Sequence, residues 1–259
     1  MSESEFEKRK CFVALFDILG FENLINRSKN LLRLADAYKK MRTDVIEMKG
    51  HINGVMNMGQ KQKRNSIIFN SYADTLLIYS ADLTSETQSE KNMLFLAMLA
   101  ACDAIFLAAN EYKLPIRGAM SKGELIISKG ILIGKPIIKA YKAERKQDWI
   151  GCWIKNECIS EISNLNEHLS AKSLIRYKIP LKVDPDEIEC PQSTLKGQKR
   201  RINYIAFNWL QSFFLKGEKN LKINFLKTNS KNPKIRRKVE NTAEFVKFVR
   251  KQSKIQSKI

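Results

Sequence analysis

The stretch from Cys11 to Phe21, CFVALFDILGF, constrains the fold of this chain more than any other. It is an almost unbroken apolar run, rich in Phe, Val and Ile and closed by Gly20, which predicts a strand buried on both faces. Asp17 near its end is a residue type that strands disfavour and that is costly to bury alone, so it needs a partner. The residues leave two interpretations open: Asp17 caps the helix that follows, or it is a functional carboxylate.

Length and cysteine usage bound the class of protein. The chain has 259 residues, 44% of them apolar, which is enough for a sizeable core. Its five cysteines contain no CxxC pair, so we expect neither a disulfide framework nor a zinc site, and we interpret them as reduced thiols of a cytoplasmic protein. The N-terminus, MSESEFEK, lacks the apolar core of a signal peptide.

The longest apolar stretch, Met93 to Ala109, is nearly long enough to cross a bilayer. Asp103 lies near its middle, where a spanning helix would lose roughly 2.5–3.5 kcal/mol of insertion free energy. No basic cluster directly flanks the stretch to set an orientation. We therefore predict a buried core helix and no membrane span.

Positive charge is concentrated at the C-terminal end. Of the net charge of +19, residues 195–259 supply 18 basic against 3 acidic side chains, a balance of +15 that leaves +4 for the rest. Such a region can contact nucleic acid, an anionic surface or a polyphosphate, or it can be a solvated face with no partner. Charge alone does not separate these, and a specific nucleic-acid partner is not our expectation.

Periodicity along the chain predicts an α+β protein. The pattern from Glu22 to Met48 fits one long helix or two shorter ones, and further helical patterns follow at residues 93–109, 136–147 and 242–251. Short strand-like runs are paired by tight turns, which predicts one hairpin at Asn65–Asn70 and Thr75–Ser80 and a second at Ile116–Lys122 and Glu124–Ser128. The order of elements is typical of a ferredoxin-like or palm-type sheet with helices packed on one face.

Two carboxylates occupy positions suited to metal chemistry. Asp17 leaves the buried strand, and Asp74 sits at the turn of the first predicted hairpin. Hard divalent ions such as Mg²⁺ or Mn²⁺ prefer oxygen ligands, and a pair of such ions catalyses phosphoryl transfer. The sequence therefore suggests a two-metal site, although two Asp residues about sixty positions apart are weak support by themselves.

Four short motifs stand in order along the first part of the chain: FDILGF at 16–21, Ala73-Asp74, RGAMSKG at 117–123 and IGKP at 133–136. Together they resemble the class III nucleotidyl cyclases, the adenylate and guanylate cyclase family, and the resemblance covers roughly Phe12 to Ile154. Within that family the chain is most similar to the bacterial pyrimidine cyclases of the Pycsar anti-phage systems, through RGAMSKGEL, the segment from Gly134 to Trp149, and the late motifs YIAFNW and ENTAEF. The resemblance implies a catalytic domain at 1–190 and a basic extension at 191–259 that packs on the same domain and ends in a disordered tail.

Departures from the purine cyclases bear on the substrate. The family's base-reading Lys, four residues before the second metal Asp, falls on Asn70, and its base-reading acidic residue falls on Ile131. The ribose-positioning Asn and the phosphate-stabilising Arg fall on Ile138 and Lys142. We therefore expect a pyrimidine base. Tyr72 and Tyr141 either narrow the base pocket or pack as ordinary core residues.

The resemblance also implies the roles of individual residues. Asp17 and Asp74 would hold two Mg²⁺ or Mn²⁺ ions with the backbone carbonyl of Ile18, and the amides of Leu19, Gly20 and Phe21 would cradle the triphosphate. Asn70 and Tyr72 would lie near the base. For the α-phosphate we expect Lys142, with Lys139 and Arg145 as alternatives; a solvated helix face explains at least two of these three equally well.

The resulting expectation is a cytoplasmic enzyme that cyclises UTP or CTP to cUMP or cCMP and releases pyrophosphate, in antiviral defence. The resemblance implies a homodimer with shared active sites and a downstream effector that responds to the cyclic nucleotide. Two alternatives stay open: a non-catalytic nucleotide- or RNA-binding protein with a cyclase-like fold and a basic tail, and a polymerase-type enzyme that joins two nucleotides.

Overall fold

In the computed structural model of the chain, which describes residues 6–26, 31–55, 67–128, 131–182, 203–215 and 232–256, one mixed sheet organises the fold. Its strands follow the order β2-β3-β1-β4-β6-β8-β7, and β5 pairs with the far end of β4. The strands are β1 Glu7–Ile18, β2 Ile67–Tyr72, β3 Thr75–Ser80, β4 Ile116–Ser128, β5 Ile131–Gly134, β6 Cys152–Ile154, β7 Leu174–Lys178 and β8 Asn203–Phe207.

Helices cover the sheet and connect its strands, so the α+β prediction is confirmed. They are α1 Phe21–Ile25, α2 Leu31–Val55, α3 Gln88–Glu111, α4 Lys135–Lys146, α5 Asn156–Ile159, α6 Leu165–Ser170, α7 Gln211–Leu215 and α8 Pro233–Gln256. The single helical pattern at Glu22–Met48 belongs to two helices, α1 and α2.

The strand β1 is buried on both faces, as its composition predicts. Phe12, Ala14 and Phe16 belong to the larger core on the side of α2 and α3, whereas Val13 and Leu15 belong to a second core with Ala140 of α4. The expectation of helices on one face only was therefore wrong. Successive side chains of a strand point to opposite faces. Because β1 is apolar at successive positions, both of its faces must be covered by other elements.

The longest apolar stretch forms α3, which begins with a capping box between Thr87 and Glu90. By length and composition this helix is able to cross a membrane, but 67% of its most apolar window is buried inside the fold. The Phe95 and Phe106 rings make edge-on contacts with Phe12 and Phe16 of β1. Its apolar character is thus used to cover the sheet.

The predicted hairpin around Gly123 was wrong, because β4 runs unbroken from Ile116 to Ser128 and pairs antiparallel with β5. A β-carbon on Gly123 would lie 3.2 Å from Cδ of Pro136 at the start of α4. The glycine therefore marks the close approach of a helix to a strand rather than a turn.

The C-terminal part of the chain contributes to the same sheet. The strand β8 lies between β6 and β7, and α8 packs Phe245 edge-on against Trp149 with ring centroids 4.7 Å apart. Cys11, Cys102, Cys152 and Cys158 are free and buried. The predicted domain boundary at 190/191, Cys190 and the last three residues lie outside the described residues.

Candidate functional site

Asp17 and Asp74 meet at one end of the sheet. Asp17 pairs with Thr75 in the register of β1 and β3, and the Ile18 amide donates a hydrogen bond to the Asp74 carbonyl at 3.0 Å. The two carboxyl groups are within hydrogen-bonding contact of each other. The strand end and the hairpin turn therefore bring together two acids that are 57 positions apart in the sequence.

The pKa of Asp17 is raised from its ordinary value. Burial of the carboxyl group is the main cause, and the neighbouring Asp74 adds to it. Arg117, whose Nη2 lies 3.6 Å from Oδ2 of Asp17, opposes the rise, as does Lys182. Two acids with one close guanidinium leave negative charge that a cation would neutralise.

Arg117 is the charged residue that sequence reasoning missed. It lies in β4 directly opposite Asp17, is almost fully buried, and pairs with the buried carboxylate of Glu144 in α4. Its Nη1 also donates to the Gln147 carbonyl at 2.9 Å. An arginine between Ile116 and Gly118 in a buried strand was the available signal, because such a cation requires acidic partners.

Glu144 shares the guanidinium with Asp17. Burial raises the pKa of the Glu144 carboxyl, and the attraction of Arg117 opposes this. One buried cation therefore serves two acids from different elements. It links the end of β1 that carries Asp17 to the last turn of α4.

Hydrogen bonds from Tyr38 and Thr75 hold the hairpin turn that carries Asp74. Ala73 adopts the left-handed conformation with φ of 49°, and its carbonyl accepts a hydrogen bond from the Tyr38 hydroxyl of α2. The Thr75 hydroxyl donates to Oδ1 of Asp74 at 3.3 Å. Burial raises the pKa of Tyr38, with added contributions from Asp74 and Asp17, so the phenol stays a donor.

Of the three main-chain amides predicted to bind the triphosphate, one already has a hydrogen-bond partner within the fold. The Leu19 amide donates to the Pro115 carbonyl at 2.8 Å, so it is engaged within the fold. Gly20 has φ of 76° and precedes α1, and its α-carbon has open space where a side chain would stand. The roles predicted for the Gly20 and Phe21 amides stay predictions.

The residues predicted near the base lie on the exposed edge of β2. Asn70 and Tyr72 are both exposed, and Tyr72 retains 86% of its accessible surface. This exposure rules out ordinary core packing for Tyr72. A wall of a base pocket at this position would need a second surface opposite it.

The basic residues of α4 differ in their surroundings. Lys142 is exposed, and Lys139 lies 3.7 Å from a carboxylate oxygen of Glu157. Arg145 donates to the Tyr141 hydroxyl at 2.6 Å and interacts electrostatically with Asp17. Arg145, an alternative to Lys142 in the sequence prediction, therefore lies within electrostatic range of Asp17.

The donor set at this end of the sheet fits a hard divalent ion. It consists of the neighbouring carboxylates of Asp17 and Asp74, the oxygen donors that such ions prefer. Within the described ranges, no group of three or more His, Cys, Asp or Glu side chains is placed to hold a metal. A metal here would thus take its remaining ligands from carbonyl oxygens, water and substrate phosphates.

Comparisons with known proteins return structural similarity only. No family model and no curated protein matches the chain. The adenylyl cyclase CyaB from P. aeruginosa superposes over 78% of this chain and 95% of its own, with 14% identity and a TM-score of 0.47. The catalytic core of a rhodopsin-guanylyl cyclase with converted specificity, in complex with ATPαS, covers 78% and 98% with 13% identity and a TM-score of 0.44. At these scores and identities the similarities assign neither a family nor an activity to the chain.

Proposed function

We propose that this protein is a metal-dependent nucleotidyl cyclase that converts UTP or CTP to the 3′,5′-cyclic monophosphate. The observation that carries the proposal is the contact between Asp17 and Asp74, two acids held at a sheet end with an unbalanced negative charge. A purely structural site has no need of such a pair, because like charges in contact destabilise the fold. A pair of this kind is useful when it binds a cation.

In the proposed reaction the ribose 3′-oxygen attacks the α-phosphorus, the bond from the α-phosphorus to the bridging oxygen breaks, pyrophosphate leaves, and the hydroxyl proton passes to solvent. Mg²⁺ or Mn²⁺, held by the residues named next, would lower the pKa of the hydroxyl and neutralise charge on the phosphates. Asp17 and Asp74 hold the ions, with the Ile18 carbonyl as a further ligand. Arg117 opposes the rise in the pKa of Asp17 and orients its carboxylate.

The remaining residues divide between phosphate and base. The main-chain amides of Gly20 and Phe21 bind phosphate oxygens, and Lys142 or Arg145 offsets charge on the α-phosphate. The choice of a pyrimidine rests on Asn70 and Ile131, which replace the two purine-reading side chains of the class III cyclases. A role in antiviral signalling rests on the same resemblance.

A homodimer with shared sites is also part of the proposal. Ile126, Ile133 and Ile131 expose their side chains on the β4–β5 arm, and Ile138 and Tyr141 do so on α4, next to the basic residues of that helix. Ile126 and Ile133 are register partners, so they stand on the same face of the arm. Covering these residues with a second copy would remove them from water and close the open side of the site.

Purified protein incubated with Mn²⁺ and each of UTP, CTP, ATP and GTP, with products identified by mass spectrometry, tests the proposal. We expect a cyclic pyrimidine nucleotide, and a loss of roughly 100-fold or more in kcat/KM, about 2.7 kcal/mol, for Asp17→Asn and for Asp74→Asn. Asp44→Asn, a partly exposed acid on α2, is the matched control and should retain activity.

Other outcomes discriminate among the alternatives. A linear dinucleotide product would indicate polymerase-type chemistry. The absence of any product, with RNA binding that survives both Asp substitutions, would indicate the non-catalytic binding protein and contradict the proposal.

A further inference from the structure

The segment 147–151 joins α4 to β6 and is held by the C-terminal helix. The Arg237 guanidinium of α8 pairs with the carboxylate of Asp148, which is buried to 3% exposure, and Lys238 lies 3.8 Å from the same carboxylate. The Asn241 amide donates to the Asp148 carbonyl at 2.6 Å. The helix thus contacts both the side chain and the main chain of one residue.

Two further contacts continue the attachment along the segment. The Ile150 amide donates to the Thr242 hydroxyl at 2.9 Å. Trp149, fully buried, packs against Phe245 of the same helix. Five residues of α8 between Arg237 and Phe245 therefore contact three consecutive residues of the segment, 148–150.

The same segment is joined to β4 at the position of Arg117. The Gly118 amide donates to the Gly151 carbonyl at 2.8 Å, and the Gln147 side chain donates to the Gly118 carbonyl at 2.8 Å. The Gln147 carbonyl accepts from Arg117 itself at 2.9 Å. The segment thus determines where the guanidinium sits.

Gln147 connects the two sets of contacts. Its side chain is fully buried, accepts a hydrogen bond from the Trp149 indole at 2.7 Å, and donates to the Ala143 carbonyl at 3.1 Å. A displacement of Trp149, its hydrogen-bond partner, or of Asp148, its neighbour in the chain, would therefore shift Gln147, whose carbonyl binds Arg117. Buried polar contacts that are satisfied on all sides transmit such shifts because they cannot be exchanged for water.

We propose that α8 is a positioning element for the acidic pair: Arg237 and Asn241 latch the 147–151 segment, and this segment holds Arg117 against Asp17. The expected effect on catalysis rests on the proposed function, whereas the attachment of the 147–151 segment by Arg237 and Asn241, here called the latch, does not. Arg237 and Asn241 are positioning residues, since they contact Asp148 and reach Asp17 only through the segment and Arg117.

The experiment uses the full chain with Arg237→Ala, and Asn241→Ala as a second variant that removes one neutral hydrogen bond. Hydrogen exchange reads the Gly118 amide directly, with the Ile78 amide of β3 as an internal reference. We expect exchange at Gly118 to rise about tenfold relative to Ile78, because loosening of one segment opens it locally. We expect kcat to fall about tenfold with KM changed less than threefold, since misplacement of a catalytic group affects the transition state most.

Arg236→Ala is the matched control, because it removes the same charge from the neighbouring, exposed position of α8. It should leave both measurements at the wild-type level, and Arg237→Lys should restore part of each. Unchanged Gly118 exchange in both variants, or an equal rise at Gly118 and Ile78, overturns the latch. Raised Gly118 exchange with wild-type kcat overturns the link to Asp17. If the wild type forms no cyclic product, the proposed function fails, and the Gly118 exchange still decides the latch.

Discussion

Two carboxylates that lie on or beside β1, Glu161 near Lys10 and Asp17 at the end of the strand, have opposite electrostatic surroundings. Near Lys10, Glu161 is surrounded by three lysines: Lys122 in close contact, Lys91 at 2.8 Å and Lys10 at 3.4 Å. Burial alone would raise the pKa of Glu161, but hydrogen bonds from Lys122 and Lys91 outweigh it and lower the pKa to about 2.

At the other end, Asp17 and Asp74 face each other, and the nearest cation is shared with Glu144. Here burial prevails and the pKa of Asp17 is raised. The first arrangement is complete as it stands, whereas the second is short of positive charge. The following predictions test this difference between a site that stabilises the fold and a site that we propose binds a cation.

The largest expected effect comes from removing Arg117. Arg117→Met leaves the buried Glu144 without its partner, so we expect the free energy of unfolding to fall by about 3–5 kcal/mol. Lys91→Met leaves Glu161 with Lys122 and Lys10 and should cost less than about 1 kcal/mol, because the carboxylate keeps two cationic partners. Urea denaturation of both variants measures the two effects. Equal losses of unfolding free energy would contradict the proposed difference between the two sites.

The next effect is the pH dependence that Glu161 confers. Its folded pKa lies below the ordinary value of 4.5, so its contribution is present above about pH 4.5 and disappears as the pH falls through about 2. After allowance for solvent screening, Glu161→Gln should cost on the order of 1 kcal/mol at neutral pH. Melting curves of wild type and variant should converge as the pH is lowered; a constant difference would show that Glu161 is not stabilised by its charge.

The smallest expected effect, that of Asp17→Asn, is a gain in stability rather than a loss. Because the folded pKa of Asp17 is raised, its ionised form opposes folding above its unfolded pKa. Without metal at neutral pH, Asp17→Asn should therefore raise the free energy of unfolding by a few tenths of a kcal/mol. Thermal melts in the presence of a chelator give the value, and a clear loss of stability would indicate that Asp17 serves the fold.

Local patterns foretold much of the fold. The apolar run at β1, the hairpin at β2 and β3, and the core helix α3 were all predictable, because each is specified by nearby residues. The break predicted at Gly123 failed, since the glycine accommodates Pro136, a residue 13 positions away whose approach no local pattern reveals.

The acidic pair was proposed from sequence, and the structure brings its two members into contact. Arg117, Glu144 and Lys182 were missed as partners, since their association depends on the register of β4 against β1 and on the packing of α4. The latch from α8 to Asp148 was equally hidden, because it joins residues 89 positions apart.

The most direct test of the central claim is thermal unfolding with and without Mn²⁺. At a concentration about 100 times the dissociation constant, Mn²⁺ should stabilise the wild type by about 2.7 kcal/mol. Asp17→Asn should show no such gain, while Glu161→Gln should show the full gain. An equal Mn²⁺ shift in wild type and Asp17→Asn, or none in either, would contradict the claim that Asp17 and Asp74 form a metal-binding pair.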